Sequence, residues 1–365
     1  MAGSLTRRQL LRLGGTAAAA LTLAACGSAA ASPPPSGSSA VPSGARPEAS
    51  AARPAASAAA SASGQAQAPA RKLVVASTTV AGSQSPIWLA ENLHYWEKLG
   101  LTVERKRVQP DIGTKALVSK DIDVLIQAPA AIIPANVNGN LDLVYIASIF
   151  NNSQIALSAK PSIKSAADLK GKIIATDKIG TATDYALGVM LAKLNIKRQE
   201  VELPTFPTTE AIYAALIGGK VDAASMGVPN CFYAEGAGFP MLADTFDTKY
   251  QNIGPVIERS RLEELAPALR LFLVGLRQGM VAYREQPDLA KKLISQNTQE
   301  TDPALLQKSY DFYAKTNHYE EDLEPTMEGM QTMIDFLGGT VVPGAKGLKA
   351  AQLVDRRILE SLPKS

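Results

Sequence analysis

Two histidines and two cysteines among 365 residues leave little material for metal or thiol chemistry. His94 and His318 stand far from any Cys, His or acidic cluster at metal-ligand spacing, so neither a metal nor another cofactor is expected. Outside the N-terminal region the only thiol is Cys231, in Pro229-Asn230-Cys231-Phe232-Tyr233, which excludes a disulfide framework. No Gly-x-Ser-x-Gly, Walker or dinucleotide fingerprint accompanies that cysteine, and covalent catalysis is poorly served. Charge of one sign is also scarce: 37 Lys and Arg face 34 Asp and Glu. The formal +3 includes Arg7, Arg8 and Arg12, with no acidic residue before Cys26. The rest of the chain is therefore near neutral, and nothing points to nucleic acid. Beyond the first 26 residues no apolar run reads as long enough to cross a bilayer.

What is present at the start is an export signal. Thr6-Arg7-Arg8-Gln9-Leu10-Leu11-Arg12 precedes an uncharged run from Leu13 to Ala25, a basic start followed by a core too short for a lasting membrane span. The paired arginines resemble the twin-arginine export signal, with leucine where phenylalanine is frequent, so the Sec route stays open. Leu23-Ala24-Ala25-Cys26 resembles a bacterial lipobox, which implies cleavage after residue 25 and lipidation of Cys26. Residues 27–70 are almost wholly Ala, Ser, Pro and Gly. Such a composition cannot bury enough apolar surface to offset its backbone entropy and predicts a disordered tether. As a flexible coil it would reach roughly 35 to 40 Å.

From Leu73 onward short β-rich runs alternate with amphipathic helical stretches, the pattern of an α/β fold with parallel strands. Strands are predicted at 73–76, 101–104, 122–126, 143–148, 172–176, 201–206 and 221–226. Helices are predicted at 85–99, 112–119, 130–138, 183–194 and 209–217. The last third predicts helices at 262–282, 288–296, 303–315 and 323–337, with few strand signals. A weak internal echo links Val118 to Pro129 with Gly218 to Pro229: a polar turn, an Asp entering a short strand, then a small residue and a proline opening a helix.

The block Ser162 to Lys172, containing Asp168-Leu169-Lys170-Gly171-Lys172, and the block Ala214 to Ala223 carry a family resemblance, with Glu97-Lys98-Leu99-Gly100-Leu101 upstream. They resemble the periplasmic solute-binding proteins of ABC importers for nitrate, sulfonate, taurine, thiamine-pyrimidine and related solutes. The resemblance runs from about Lys72 to Leu337. It implies a two-lobed α/β fold of the type II periplasmic-binding-protein kind, each lobe an open, mainly parallel sheet flanked by helices, with a C-terminal helical portion on lobe one. The implied organisation is a signal peptide at 1–25, a lipidated tether at 26–70, lobe one at 71–156, lobe two at 157–248, and a return to lobe one at 249–365. The crossings would fall near Ile155 to Ser158 and Thr245 to Val256.

The implied function is capture of a small organic or anionic solute between the lobes and delivery to an ABC permease, by a monomer anchored through Cys26 at the outer face of the cytoplasmic membrane or cell envelope. No enzymatic activity is expected. Two alternatives remain: a ligand-sensing module without transport, and an enzyme like the fungal thiamine-pyrimidine synthases of the same fold, whose cysteine-rich motif this chain lacks.

Candidate binding residues follow from strand ends, where open α/β sheets receive ligands. Gly180-Thr181-Ala182-Thr183-Asp184-Tyr185 opens a helix after a strand, so Thr181, Thr183 and Tyr185 are candidates for holding a polar or anionic group at its N-terminus. Ser83, Gln84 and Trp88 would form the opposing wall, with Trp88 either a core residue or an aromatic platform. Gln127, Asn151 and Asn230 lie just past predicted strands and could supply amide hydrogen bonds.

Overall fold

The computed structural model describes residues 71–315, 319 and 321–363. The expected signal, the lipobox with Cys26, the tether, and His318 lie outside the described residues. The chain runs β1 (Arg71–Ser77), α1 (Ser85–Asn92), α2 (Tyr95–Lys98), β2 (Leu101–Arg107), α3 (Pro110–Val118), β3 (Val124–Gln127), α4 (Pro129–Gly139), β4 (Leu143–Tyr145) and β5 (Phe150–Asn152). It continues through β6 (Ile155–Ala159), β7 (Ile174–Ala175), α5 (Ala182–Lys193), α6 (Thr209–Ile217), β8 (Ala223–Gly227), α7 (Asn230–Gly236), β9 (Met241–Asp244) and β10 (Lys249–Glu258). Five helices close it: α8 (Leu262–Glu285), α9 (Pro287–Thr298), α10 (Pro303–Lys315), α11 (Met327–Gly339) and α12 (Arg357–Glu360).

Two sheets result. The first has the order β2-β1-β3-β10-β4, with β5 also on β10; the second has the order β7-β8-β6-β9. β1 is parallel to β2 and β3, and β7 is parallel to β8, as βαβ crossovers require. The sheets are mixed rather than mainly parallel, because β6 and β10 run antiparallel to every partner. Both follow directly where the chain passes from one sheet to the other. Those passages are tied by short polar contacts: Ser153 and Thr245 share a 2.6 Å hydrogen bond, and Asn152 Nδ2 donates to the Phe246 carbonyl.

Alternation along the strands sets the layers. Leu73 and Val75 of β1 join Val124 and Ile126 of β3 under α1 and α8, while Ala76 and Leu125 face the opposite layer, which holds α3, α4 and α11. α8 is the exception to the reading that no later run could span a bilayer: by length and composition it could. It is instead a core helix, with Leu269, Phe272, Leu273, Leu276 and Met280 fully buried and Arg270, Arg277 and Arg284 on other faces. Trp96 seals its contact with α2, stacking on Phe272 at 5.4 Å and donating from Nε1 to the Phe272 carbonyl.

The internal echo is real in three dimensions, shifted by one residue from the sequence alignment. Each residue of the second set lies 99 positions after its counterpart. Asp123 accepts from the Val74 amide as Asp222 accepts from Ile173, and each is positioned where a parallel strand begins. α3 and α6 have matching lengths and end in matching left-handed turns at Lys120 and Gly219. Asp123 is further held by Arg261 at 2.7 Å, and Asp222 by Lys160 at 2.9 Å, whose hydrogen bond keeps that carboxyl below its ordinary range.

Three expected elements differ. The helix at 85–99 breaks at His94, an exposed residue with a left-handed φ of 55°, so His94 separates α1 from α2 instead of riding on a helix. The strand at 201–206 reduces to isolated bridges at Glu202 and Thr205, since Pro204 has no N–H to donate to a ladder. The helix at 323–337 starts only at Met327: Pro325 precedes Thr326, whose hydroxyl caps α11 by accepting from Gly329 N.

Candidate functional site

The loops at the strand ends of both sheets converge on one cleft of about 440 Å³. Its walls are equivalent segments of the repeated plan. Thr78 and Ser83 after β1 face Asp177 and Ala182 after β7; Gln109 before α3 faces Thr208 before α6; Ala128 after β3 faces Gly227 at the end of β8. The floor comes from the passages between sheets, through Gln154, Tyr250 and Asn252.

Of the nine candidate binding residues, Ser83, Gln127, Thr183 and Asn230 line this cleft. Gln127 is the best defined. Its Oε1 accepts from Thr78 Oγ1 at 3.1 Å and from the Ala128 amide at 3.0 Å, which fixes the amide orientation. Its Nε2 is then buried with no partner, two donors held ready at the end of β3. Tyr250 is the second such group: it is 2% exposed, its hydroxyl has no partner, and burial pushes its pKa above the ordinary value.

The other five are occupied elsewhere. Gln84 is 1% exposed, accepting from Ser77 Oγ and donating to Thr79 Oγ1, so it braces the turn after β1. Trp88 is buried core beneath α8. Asn151 ties β5 to the segment before α11, donating to the Glu324 carbonyl and accepting from Ser148 and Thr326. Tyr185 stacks on Tyr250 at 5.9 Å and meets Phe336 edge-on at 5.3 Å, fixing the Tyr250 ring from behind. Thr181 caps α5, accepting from Asp184 N and donating to the Lys178 carbonyl.

The start of α5 is therefore already filled. Asp184, 1% exposed, accepts from Gly180 N and pairs with Arg198, whose Nη2 also donates to the Asp184 carbonyl at 2.8 Å. A built-in carboxylate answers the helix N-terminus and leaves no call for an anionic ligand there. Thr181 and Thr183 consequently separate. Thr181→Ala should cost about 1 kcal/mol of stability as a lost cap and leave solute affinity unchanged. Thr183→Val should do the reverse, and calorimetry on the folded fraction distinguishes the two.

Charge in the cleft was not read from the sequence. Arg107, at the end of β2, is exposed and has no ion-pair partner among the described residues. Asp177 and Glu210 lie on the opposite wall, and neither is in a salt bridge among the described residues. Burial raises the Asp177 carboxyl above its ordinary range, against the Lys178 amide that hydrogen-bonds it. The signal that locates Asp177 is the repeat: it takes the place of Thr78 just past the strand. Cys231 faces the core from α7, its thiol fully buried and pushed up to about 12, which leaves almost no thiolate at neutral pH.

The chain resembles solved periplasmic binding proteins across most of its length. The periplasmic aliphatic sulphonate binding protein SsuA from Escherichia coli superposes with a TM-score of 0.62 at 21% identity, covering 78% of this chain and 98% of that one. The alkanesulfonate-binding protein SsuA from Xanthomonas axonopodis pv. citri, bound to MOPS, gives 0.59 at 18%, covering 80% and 97%. A Candida albicans gene product described as having the generic periplasmic binding protein fold gives 0.59 at 15%, covering 78% and 96%. No curated protein matches the chain by sequence. The family model described as NMT1/THI5 like matches residues 82–290, from the turn after β1 into α9 and more than half of the chain, and the chain belongs to that family.

Proposed function

We propose that this protein is an extracytoplasmic solute receptor that closes on a small polar molecule between two lobes and hands it to an ABC permease. The observation that carries the reading is the convergence of repeated strand-end loops on one cleft in which Gln127 Nε2 and the Tyr250 hydroxyl are buried without partners. Buried donors left unpaired cost free energy that a bound solute would recover. The lobes would be 71–156 with 249–365, and 157–248, hinged where Ser153 and Thr245 tie the two passages. Lipidation of Cys26 and the tether would hold the receptor at the membrane, since two acyl chains on one cysteine give stable anchoring.

The test begins with mass spectrometry of small molecules released from protein purified from its native host. Re-adding the released compound at 100 times its dissociation constant should stabilise the fold by about 2.7 kcal/mol and shrink the radius of gyration. A protein that releases nothing and keeps its dimensions with every solute offered is not a receptor of this kind. Cys26→Ala should leave the melting temperature unchanged and move the protein from the membrane to the soluble fraction; equal membrane retention counts against the anchor.

A further inference from the structure

We infer that the solute carries a protonated amine or amidine, held by Asp177 and Glu210, together with a hydrogen-bond acceptor held by Gln127 and Tyr250. This rests on the reading of the cleft as a solute site and says what chemistry the site selects.

The acidic wall alone would say little. Asp177 is half-buried at the end of β7, and its one hydrogen bond comes from the backbone amide of Lys178 at 2.7 Å. A carboxylate drawn partly out of water is destabilised, here more than the neighbouring Lys178 offsets, so a positive group arriving from the cleft would stabilise it. Glu210, in the first turn of α6, adds a second negative charge on the same wall, exposed and free of ion pairs. The independent observation lies across from them. Gln127 and Tyr250, 6% and 2% exposed, are among the residues that line the cleft, and each keeps one buried polar atom without a partner. Gln127 Nε2 can only donate, because its Oε1 is already taken by Thr78 and Ala128.

The ligand must therefore present an acceptor on the Gln127 side and a donor, best a charged one, on the Asp177 side. A simple sulfonate meets the first demand and violates the second, since it would face two carboxylates in a partly desolvated cleft. Arg107 is the single cationic side chain among the described lining residues, and it is exposed at the rim. It is free to receive an additional anionic group, which makes a zwitterion acceptable and a plain anion poor.

Two probes of similar size separate the possibilities on the full chain: 3-(aminomethyl)benzamide, a cation with a carbonyl acceptor, and 3-carbamoylbenzenesulfonate, the matching anion. The expected result is that the amine raises the melting temperature and gives a calorimetric binding signal while the sulfonate does neither. Asp177→Asn combined with Glu210→Gln should weaken amine binding by about tenfold or more. The unliganded melting temperature should not fall, because neither carboxylate holds a salt bridge among the described residues and burial disfavours the charged form of Asp177. Binding of the sulfonate with the amine silent overturns the inference and leaves the solute-receptor reading standing. Equal amine affinity in the double variant also overturns it. Silence of both probes, together with no small molecule released from native protein, takes down both.

Discussion

Gly279→Ala is expected to cost about 3 kcal/mol of folding stability, at the upper end of what overpacking a well-filled interior usually costs. A methyl group at that position would sit 2.1 Å from the Pro86 carbonyl oxygen and 3.2 Å from the Ala90 side chain, where α8 crosses α1. The nearest obstacle is backbone, so no side chain can rotate out of the way. One helical turn earlier, Gly275 lies equally close to the Trp96 ring, so the two helices and α2 cannot slide apart locally to make room. For a domain of this size the loss should lower the melting temperature by roughly 5 °C. Calorimetry checks it, and a change below 2 °C would mean that α1 and α8 can separate at little cost.

The second large effect is expected at Arg198. Its guanidinium is about a third exposed, while the Asp184 side chain it pairs with is 2% exposed at the mouth of α5. Arg198→Leu strands that carboxylate with the Gly180 amide as its remaining hydrogen-bond donor. Removing one partner of such a pair costs about 3 kcal/mol, taken at the low end because water can reach the vacated side. Ala182 and Thr183, at the start of the same helix, line the cleft, so solute affinity should fall in the same variant, and Arg198→Lys should recover part of both losses. Urea unfolding and titration with the native solute measure them. A destabilisation under 1 kcal/mol would show that Asp184 is solvated once the arginine is gone.

Much of the framework is legible before any coordinates. α6 and α10 fall at the expected residues because Thr208 and Pro303 are strong start signals. β1 and β3 are announced by apolar runs that both faces of a covered sheet require. The site is only half legible, and the two glutamines show why. Gln84 follows β1 and Gln127 ends β3, yet the amide of one is consumed by Ser77 and Thr79 while the other keeps its Nε2 without a partner. Position along the chain says that a residue is near the cleft; the direction its side chain takes depends on which hydroxyls the turn brings beside it. Tyr250 escaped notice for another reason. It lies inside the long strand β10, which reads as a connection between sheets, and becomes part of the floor only because that strand passes under both walls.

The repeat that builds the two walls also poses a problem of orientation. A pocket framed by near-equivalent loops has an approximate twofold outline, and a small molecule could enter it either way round with similar fit. Outline therefore cannot choose the pose. The choice falls to the cleft positions where the copies have diverged: Thr78 against Asp177, Gln109 against Thr208, and Ser83 against Ala182. A reversed solute would offer its cationic end to the neutral Thr78 hydroxyl in place of the Asp177 carboxylate. Exchanging Thr78 and Asp177 between the walls would, on this view, turn the bound molecule end for end without reshaping the space it occupies.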